Sequence, residues 1–191
     1  MAEPPDHLRI VAKITKGLRS LGFEPVLVGG MALVVLGSRR VTRDFDFVVA
    51  RPADRLDSVV DVFYGHGLEL VSRLDDDGEV TATIDNRRVA SIRLRLDTPA
   101  SAAFFNVSTG LRIDLLFDFP MPAADLVARA TRLKIRGQPL LIASEHDLLR
   151  LKRTAAAARS VPGDADDIAF LESRKQRRPG DRDPAKIRSE H

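Results

Sequence analysis

The chain has 191 residues, of which 44% are hydrophobic, so it is long enough for a single domain with a buried core. It contains no Cys and its four His are scattered, which excludes disulfides and the usual zinc sites and leaves oxygen ligands for any metal. The net charge of +3 is carried by segment 174–191, with seven Lys/Arg against three Asp/Glu, so the rest of the chain has no charge excess that would indicate nucleic-acid binding.

Hydrophobic periodicity and turn residues predict both helices and strands along the chain. In chain order these are helix 6–22, strand 25–28, helix 31–36, strand 45–49, helix 54–65, strands 69–73, 79–84, 88–96 and 111–117, helix 123–130, a hairpin at 132–142, and helices 144–159 and 164–173. We therefore expect an α+β fold, a mixed β-sheet with helices packed on one side and a C-terminal helical pair. The longest near-apolar run, 26–36, is too short to span a bilayer, so we expect a cytoplasmic protein with no membrane partner.

Two acidic residues, Asp44 and Asp46, stand at alternate positions at the start of the strand at 45–49. Alternate residues of a strand share a face, so these two side chains point together while Phe45, Phe47 and Val49 point to the core. Two adjacent carboxylates repel each other, and a bridging divalent cation would remove that conflict. The alternative is a solvent-facing edge that carries two incidental charges.

A third acidic residue, Asp114, interrupts the apolar strand at 111–117 in the same way. If the two strands are neighbours, the carboxylates of Asp44, Asp46 and Asp114 converge. Three Asp can hold two Mg²⁺ about 4 Å apart, an arrangement that activates an attacking hydroxyl and binds triphosphate oxygens. Mn²⁺ would suit the same oxygen ligands.

The glycine pair Gly29-Gly30 separates a predicted strand from a predicted helix. Bare backbone N–H groups at such a turn can approach anionic oxygens closely, although a glycine pair can also be no more than a tight turn. The turn is not a Walker loop, because no Gly-Lys-Ser/Thr follows it.

Two cations fall within the apolar face of the predicted helix 144–159. Lys152 and Arg159 share the stripe formed by Leu148, Leu151 and Ala155 at 3.6 residues per turn. Either these cations face phosphate or acidic partners, or their aliphatic stems lead the charges past the core to solvent.

The segment 174–191 has almost no apolar residues, and we expect it to be disordered. It is either a solvated terminus or an arm that contacts RNA.

These motifs together resemble the nucleotidyltransferase superfamily, which has a polymerase-beta-like palm. The order of the matching residues is Gly29, Gly30, Gly37, Arg40, Thr42, Asp44, Asp46 and, later, Asp114. The chain is similar above all to the minimal abortive-infection type, the toxins of bacterial toxin–antitoxin pairs. The resemblance implies a palm domain at 1–143, a helical annex packed on it at 144–173, and the basic tail 174–191 outside the domain.

The resemblance also implies an activity and a set of site residues. The activity is Mg²⁺-dependent transfer of a nucleoside monophosphate from a nucleoside triphosphate to a hydroxyl of a tRNA, a protein or a small molecule, with an antitoxin as a further partner. The implied catalytic and metal-binding residues are Asp44, Asp46 and Asp114, and the implied nucleotide-binding residues are Gly29, Gly30, Arg40, Thr42, Lys152 and Arg159. Asp164 and Asp167 are expected to fix Arg159 or, preferably, to cap the last helix. The alternative function is a non-catalytic nucleotide-binding protein of the same fold that acts through a partner protein.

Overall fold

The computed structural model describes residues 6–158 and 163–176. Its helices are α1 (His7–Ser20), α2 (Gly29–Val35), a 3-10 turn (Ala53–Arg55), α3 (Leu56–Tyr64), α4 (Arg87–Asp97), α5 (Ala123–Arg129), α6 (Glu145–Ala158) and α7 (Asp164–Gln176). Its strands are β1 (Val26–Val28), β2 (Phe45–Val49), β3 (Glu69–Leu74), β4 (Val80–Ile84), β5 (Ser101–Phe105), β6 (Arg112–Phe117), β7 (Thr131–Ile135) and β8 (Gln138–Ile142). Within these residues no helix combines the length and apolarity that crossing a membrane requires.

The strands form one mixed sheet in the order β4-β3-β5-β6-β2-β1-β8-β7. The pairs β2–β6 and β1–β8 are parallel, and the remaining neighbours are antiparallel. Helix α1 contacts β8 and α3, while α6 and α7 pack against each other as a C-terminal pair. The α+β architecture with a mixed sheet, predicted from the sequence, is confirmed.

The core includes the side chains that alternate on one face of the central strands of the sheet. In β2 and β6 the large apolar side chains at alternate positions are buried, namely Phe45, Phe47, Val49, Ile113, Leu115 and Phe117. The ring of Phe104 on β5 stacks on that of Phe63 on α3, with centroids 3.9 Å apart. Burial of these side chains fixes the register of β2 against β6, because a slip by one residue would turn the polar positions into the core.

The prediction of a strand at 88–96 is wrong, since these residues lie in α4. The alternation of Ile92, Leu94 and Leu96 with Arg is typical of a strand, but only Leu94 of the three is buried. Leu94 pairs instead with Ala90, one helical turn earlier, and Ile92 and Leu96 are exposed. The helix begins after Asn86, whose side chain accepts hydrogen bonds from the N–H groups of residues 88 and 89. Strand β5, which follows, was not predicted.

The C-terminal helical pair continues beyond its predicted end. Helix α7 extends to Gln176, so Arg174 belongs to the annex and not to the tail. Its guanidinium donates to the carbonyl of Leu36 at 2.7 Å and pairs with Glu145 at 2.9 Å, which ties α7 to α6 and to the end of α2. Residues 177–191, the remainder of the predicted tail, lie outside the described residues.

Candidate active site

Asp46 and Asp114 stand directly opposite each other on the parallel strands β2 and β6. Both occupy the face opposite the buried Phe47 and Leu115, and Asp44 lies just before β2. The sheet therefore brings the predicted carboxylates together, because the two acid-bearing strands are neighbours.

Burial and mutual repulsion disfavour the ionised forms of these carboxylates. Burial, followed by the charges of Asp114 and Asp44, raises the pKa of Asp46 from 3.8 to about 6, against the opposing effect of Lys152 and Arg112. Burial also raises the pKa of Asp44. The charge of Arg112 lowers this pKa, and the charges of Asp114 and Glu79 raise it further. Desolvated carboxylate oxygens with like charges beside them are the ligand type that a hard divalent cation stabilises.

The two glycines of the turn are each covered by a side chain of the site. At Gly29, whose φ is +64°, an added Cβ would lie 2.8 Å from Cγ of Asp46 and closer still to its Oδ2. At Gly30 it would lie 2.8 Å from Cζ of Arg40. Contacts this short do not occur, so the glycines let the Asp46 carboxylate and the Arg40 guanidinium lie against the turn.

Arg112 is a site residue that the sequence reasoning missed. Its Nε and Nη2 donate to the two carboxylate oxygens of Asp114 at 2.9 and 3.0 Å, and its Nη1 donates to the carbonyl of Gly78 at 3.0 Å. The available signal was the spacing, since residues two apart in a strand share a face. Arg112, two positions before Asp114 in β6, therefore shares its face of the sheet.

A cluster of ion pairs surrounds Lys152. Its ammonium lies 2.6 Å from Asp167 and 3.3 Å from Asp164, and Asp167 also binds the guanidinium of Arg40. The Asp164 and Asp167 side chains are only 6% and 5% exposed, so their charges need these partners. The expectation that the two Asp preferably cap the last helix is wrong, because both stand inside the first turn of α7, after Gly163. Asp164 contacts Lys152, Asp167 contacts both Lys152 and Arg40, and the charge of Lys152 acts on Asp46.

Two predicted nucleotide-binding residues remain outside this group. Thr42 lines a cavity of about 1070 Å³ together with Met31, Arg43, Phe45 and Ile135, and the described lining includes neither the three carboxylates nor Lys152. Arg159 lies outside the described residues. The assignments of Thr42 and Arg159 stay predictions.

The carboxylates do not form a ready three-ligand metal group. Across residues 6–158 and 163–176, no set of three His, Cys, Asp or Glu side chains is arranged to hold a metal ion. Asp44 and Asp46 fit an oxygen-bound cation by chemistry and burial, whereas both oxygens of Asp114 face Arg112.

Solved structures with the same fold exist despite low sequence identity. A nucleotidyltransferase-like antigen from Paracoccidioides brasiliensis matches with a TM-score of 0.56 at 18% identity, over 88% of this chain and 74% of its own. The lincosamide antibiotic adenylyltransferase LnuA, bound to lincomycin, matches with a TM-score of 0.54 at 12% identity, over 90% and 99% of the two chains. The antibiotic-resistance factor ANT(2″)-Ia, solved with adenylyl-2″-tobramycin, matches with a TM-score of 0.57 at 12% identity, over 90% of each chain.

No protein-family model and no curated protein sequence matches the chain. Identities this low establish the shared architecture and leave substrate and activity to be argued from the site. The similarity to these proteins extends over most of the chain. The chain contains the mixed sheet, the glycine turn after β1 and the facing carboxylates of β2 and β6. The chain therefore has the nucleotidyltransferase fold.

Proposed function

We propose that the protein is a Mg²⁺-dependent nucleotidyltransferase, which transfers a nucleoside monophosphate from a nucleoside triphosphate to a hydroxyl acceptor and releases pyrophosphate. The observation that carries the proposal is the placement of Asp46 opposite Asp114 and against Gly29, with the cations Arg40 and Lys152 beside them. A purely structural role would not favour two half-buried carboxylates that face each other within a sheet, because each charge costs free energy to desolvate.

Asp44 and Asp46 are the residues that would hold the metal, whereas Asp114, which the sequence predicts as a third ligand, is paired with Arg112. When bound, Mg²⁺ would neutralise triphosphate charge and make an acceptor hydroxyl more acidic. Mn²⁺ is compatible with the same oxygens. The raised pKa of Asp46, about 6, supports this assignment, since a nearby cation would offset the repulsion from Asp44 and Asp114.

The remaining residues bind and orient the nucleotide. The Gly29-Gly30 turn lets the Asp46 carboxylate and the Arg40 guanidinium lie against its backbone, and that guanidinium offers a bidentate partner for phosphate oxygens. Lys152 supplies a second cation, which Asp164 and Asp167 fix in place. Holding the reactants in this way converts a bimolecular step into an effectively unimolecular one.

The transfer step itself requires little covalent chemistry from the protein. The acceptor oxygen attacks the α-phosphorus, the bond to pyrophosphate breaks, and Asp114 accepts the proton that leaves the hydroxyl. Candidate acceptors are a tRNA end, a protein side chain and a small molecule, and an antitoxin-type partner is part of the same proposal. Among the neighbours, the names of LnuA and ANT(2″)-Ia point to antibiotic acceptors for those proteins.

Titration calorimetry with ATP, GTP, CTP and UTP tests the nucleotide site. We expect Mg²⁺-dependent binding that is lost in the Asp44→Ala/Asp46→Ala variant and kept in Asp125→Asn, which alters an exposed acid on α5. Equal binding with a chelator present would remove the metal from the proposal.

Transfer is tested with α-labelled nucleotide and three acceptor classes: total tRNA, the protein itself and a panel of hydroxylated small molecules. We expect label on one class, with pyrophosphate released in equal amount. Nucleotide binding without any pyrophosphate release would favour the non-catalytic alternative.

A further inference from the structure

The guanidinium of Arg112 lies within the group of carboxylates that the proposed function assigns to metal binding. It contacts both oxygens of Asp114, at 2.9 and 3.0 Å, in a side-on bidentate pair. Its positive charge also acts on Asp44 and on Asp46. Arg112 therefore interacts with all three acids, whereas the charge of Lys152 acts on Asp46.

Arg112 is held in this position from a third direction. Its remaining amino group, Nη1, donates to the carbonyl of Gly78 at 3.0 Å, in the turn between β3 and β4. The side chains of Arg112 and Asp114 are 19% and 22% exposed, so the pair is largely shielded from competing water. A guanidinium with three fixed contacts has little freedom to leave, and it stays charged at every pH at which the protein is folded.

This arrangement bears on how many divalent cations the site can hold. The second ion of a two-metal site needs a carboxylate ligand, and here both oxygens of Asp114, the acid opposite Asp46, face a guanidinium. A second divalent cation at Asp114 would also meet the positive charge of Arg112 at short range. The lack of a three-acid metal group in the described parts of the chain is consistent with this geometry.

We propose that Arg112 takes the place of a second metal ion, so that the site binds one divalent cation at Asp44 and Asp46 while Asp114 remains paired with Arg112. The inference rests on the proposed function, which assigns these acids to the metal. Arg112 is then a positioning residue: it fixes the orientation of the Asp114 carboxylate and neutralises part of the local negative charge.

The test is a count of bound Mn²⁺ by electron paramagnetic resonance, with a non-hydrolysable nucleoside triphosphate analogue present. The count for the Asp44→Ala/Asp46→Ala variant is subtracted as background from surface acids. We expect one site-specific ion in the parent protein and two in Arg112→Gln, which loses the charge but keeps an amide. Arg112→Lys keeps the charge and should stay at one.

Arg95→Gln is the matched control, because Arg95 also contacts both oxygens of one acid, Asp57, but on α3 and α4 and not on the acid-bearing strands. Its count should stay at one. Thermal unfolding of each variant confirms that the counted protein is folded, and the parent count still tests the one-ion site if Arg112→Gln does not fold. Two ions in the parent protein, or one in a folded Arg112→Gln, would overturn the role of Arg112 and leave the proposed function standing. No site-specific ion in any variant would contradict the proposed function and this inference with it.

Discussion

The carboxylate of Asp46 occupies the place that a side chain at position 29 would take. Gly29 adopts a φ of +64°, and an added Cβ would lie 2.8 Å from Cγ of Asp46. The neighbouring Gly30 has the same relationship to Arg40, but there the obstacle is the end of a flexible side chain. The two glycines should therefore respond differently to substitution.

Gly29→Ala should lower the free energy of unfolding by about 3 kcal/mol, because it adds backbone strain and crowds the carboxylate of Asp46. Gly37→Ala is the control for strain alone, since its φ is +98° and nothing lies within 4 Å of the added Cβ, and it should cost about 1 kcal/mol. Urea unfolding measures both. Equal losses for the two variants would show that crowding by Asp46 contributes nothing.

Gly30→Ala should change stability by less than about 1 kcal/mol, because Arg40 can move aside. Displacing that guanidinium should weaken nucleotide binding about tenfold, which corresponds to ~1.4 kcal/mol. Calorimetry with the preferred nucleotide measures the effect. Unchanged affinity in a folded Gly30→Ala variant would remove Arg40 from the nucleotide site.

Lys152→Met should destabilise the protein by about 2 to 4 kcal/mol, because Asp164 and Asp167 would both lose a buried cationic partner. The Lys152 side chain is only 12% exposed, so water cannot replace the lost contact fully. Lys16→Met, at an exposed position of α1, should be close to neutral. Adding Asp164→Asn to Lys152→Met should recover part of the lost stability. A double variant no more stable than Lys152→Met alone would argue against the ion pair.

Stability should fall with rising pH across the range in which Asp46 titrates. Its pKa is raised from 3.8 unfolded to about 6 folded, so the folded protein holds a proton that the unfolded chain releases. This contribution is complete below the unfolded pKa and is lost as the pH rises through about 6. Asp46→Asn cannot ionise, so in chelator at pH ~8 it should be more stable than the parent by roughly 2 to 3 kcal/mol. Urea unfolding from pH ~4 to ~8 measures the slope, and a parent profile parallel to that of Asp46→Asn would contradict the raised pKa.

Arg174→Ala should cost about 1 to 2 kcal/mol, because it removes a carbonyl contact with Leu36 and an ion pair with Glu145. Arg153→Ala is a matched control from the same helical pair. The Arg153–Glu172 pair is 60% and 43% exposed, and its loss should cost less than about 0.5 kcal/mol. Thermal and urea unfolding should rank the variants in this order, and the reverse ranking would show that α7 does not depend on Arg174.

Much of the fold follows from local sequence patterns, and the errors have local causes. Strand β2 was predicted with its observed bounds because Phe45, Phe47 and Val49 occupy alternate positions of a short run of aromatic and β-branched residues. Helix α4 was mistaken for a strand because Ile92, Leu94 and Leu96 alternate as well, and only packing shows that two of the three are exposed. Local patterns cannot reveal which face a neighbouring helix will cover.

The site was predicted in part, since its acids and glycines lie in recognisable motifs. Arg40 and Lys152 were expected at the site, but their pairing with Asp167 was not, because these contacts join residues far apart in sequence. Arg40 meets Asp167 only after α7 folds back toward the glycine turn, and Arg112 reaches Gly78 only once the β3–β4 turn is in place. Ion pairs between residues so far apart depend on the tertiary structure, and they leave no periodic pattern in the sequence.

The attachment of α7 limits how this protein can be recombined with others of its fold. The helix carries Asp167, which holds Arg40 and Lys152, and Arg174, which binds the carbonyl of Leu36. A chimera that exchanges the C-terminal helical pair would therefore have to bring a compatible loop after α2 with it. The annex and the glycine-turn region therefore have to be exchanged together. In a chimera that separates them, Arg40 and Lys152 should lose their fixed positions while the sheet still folds.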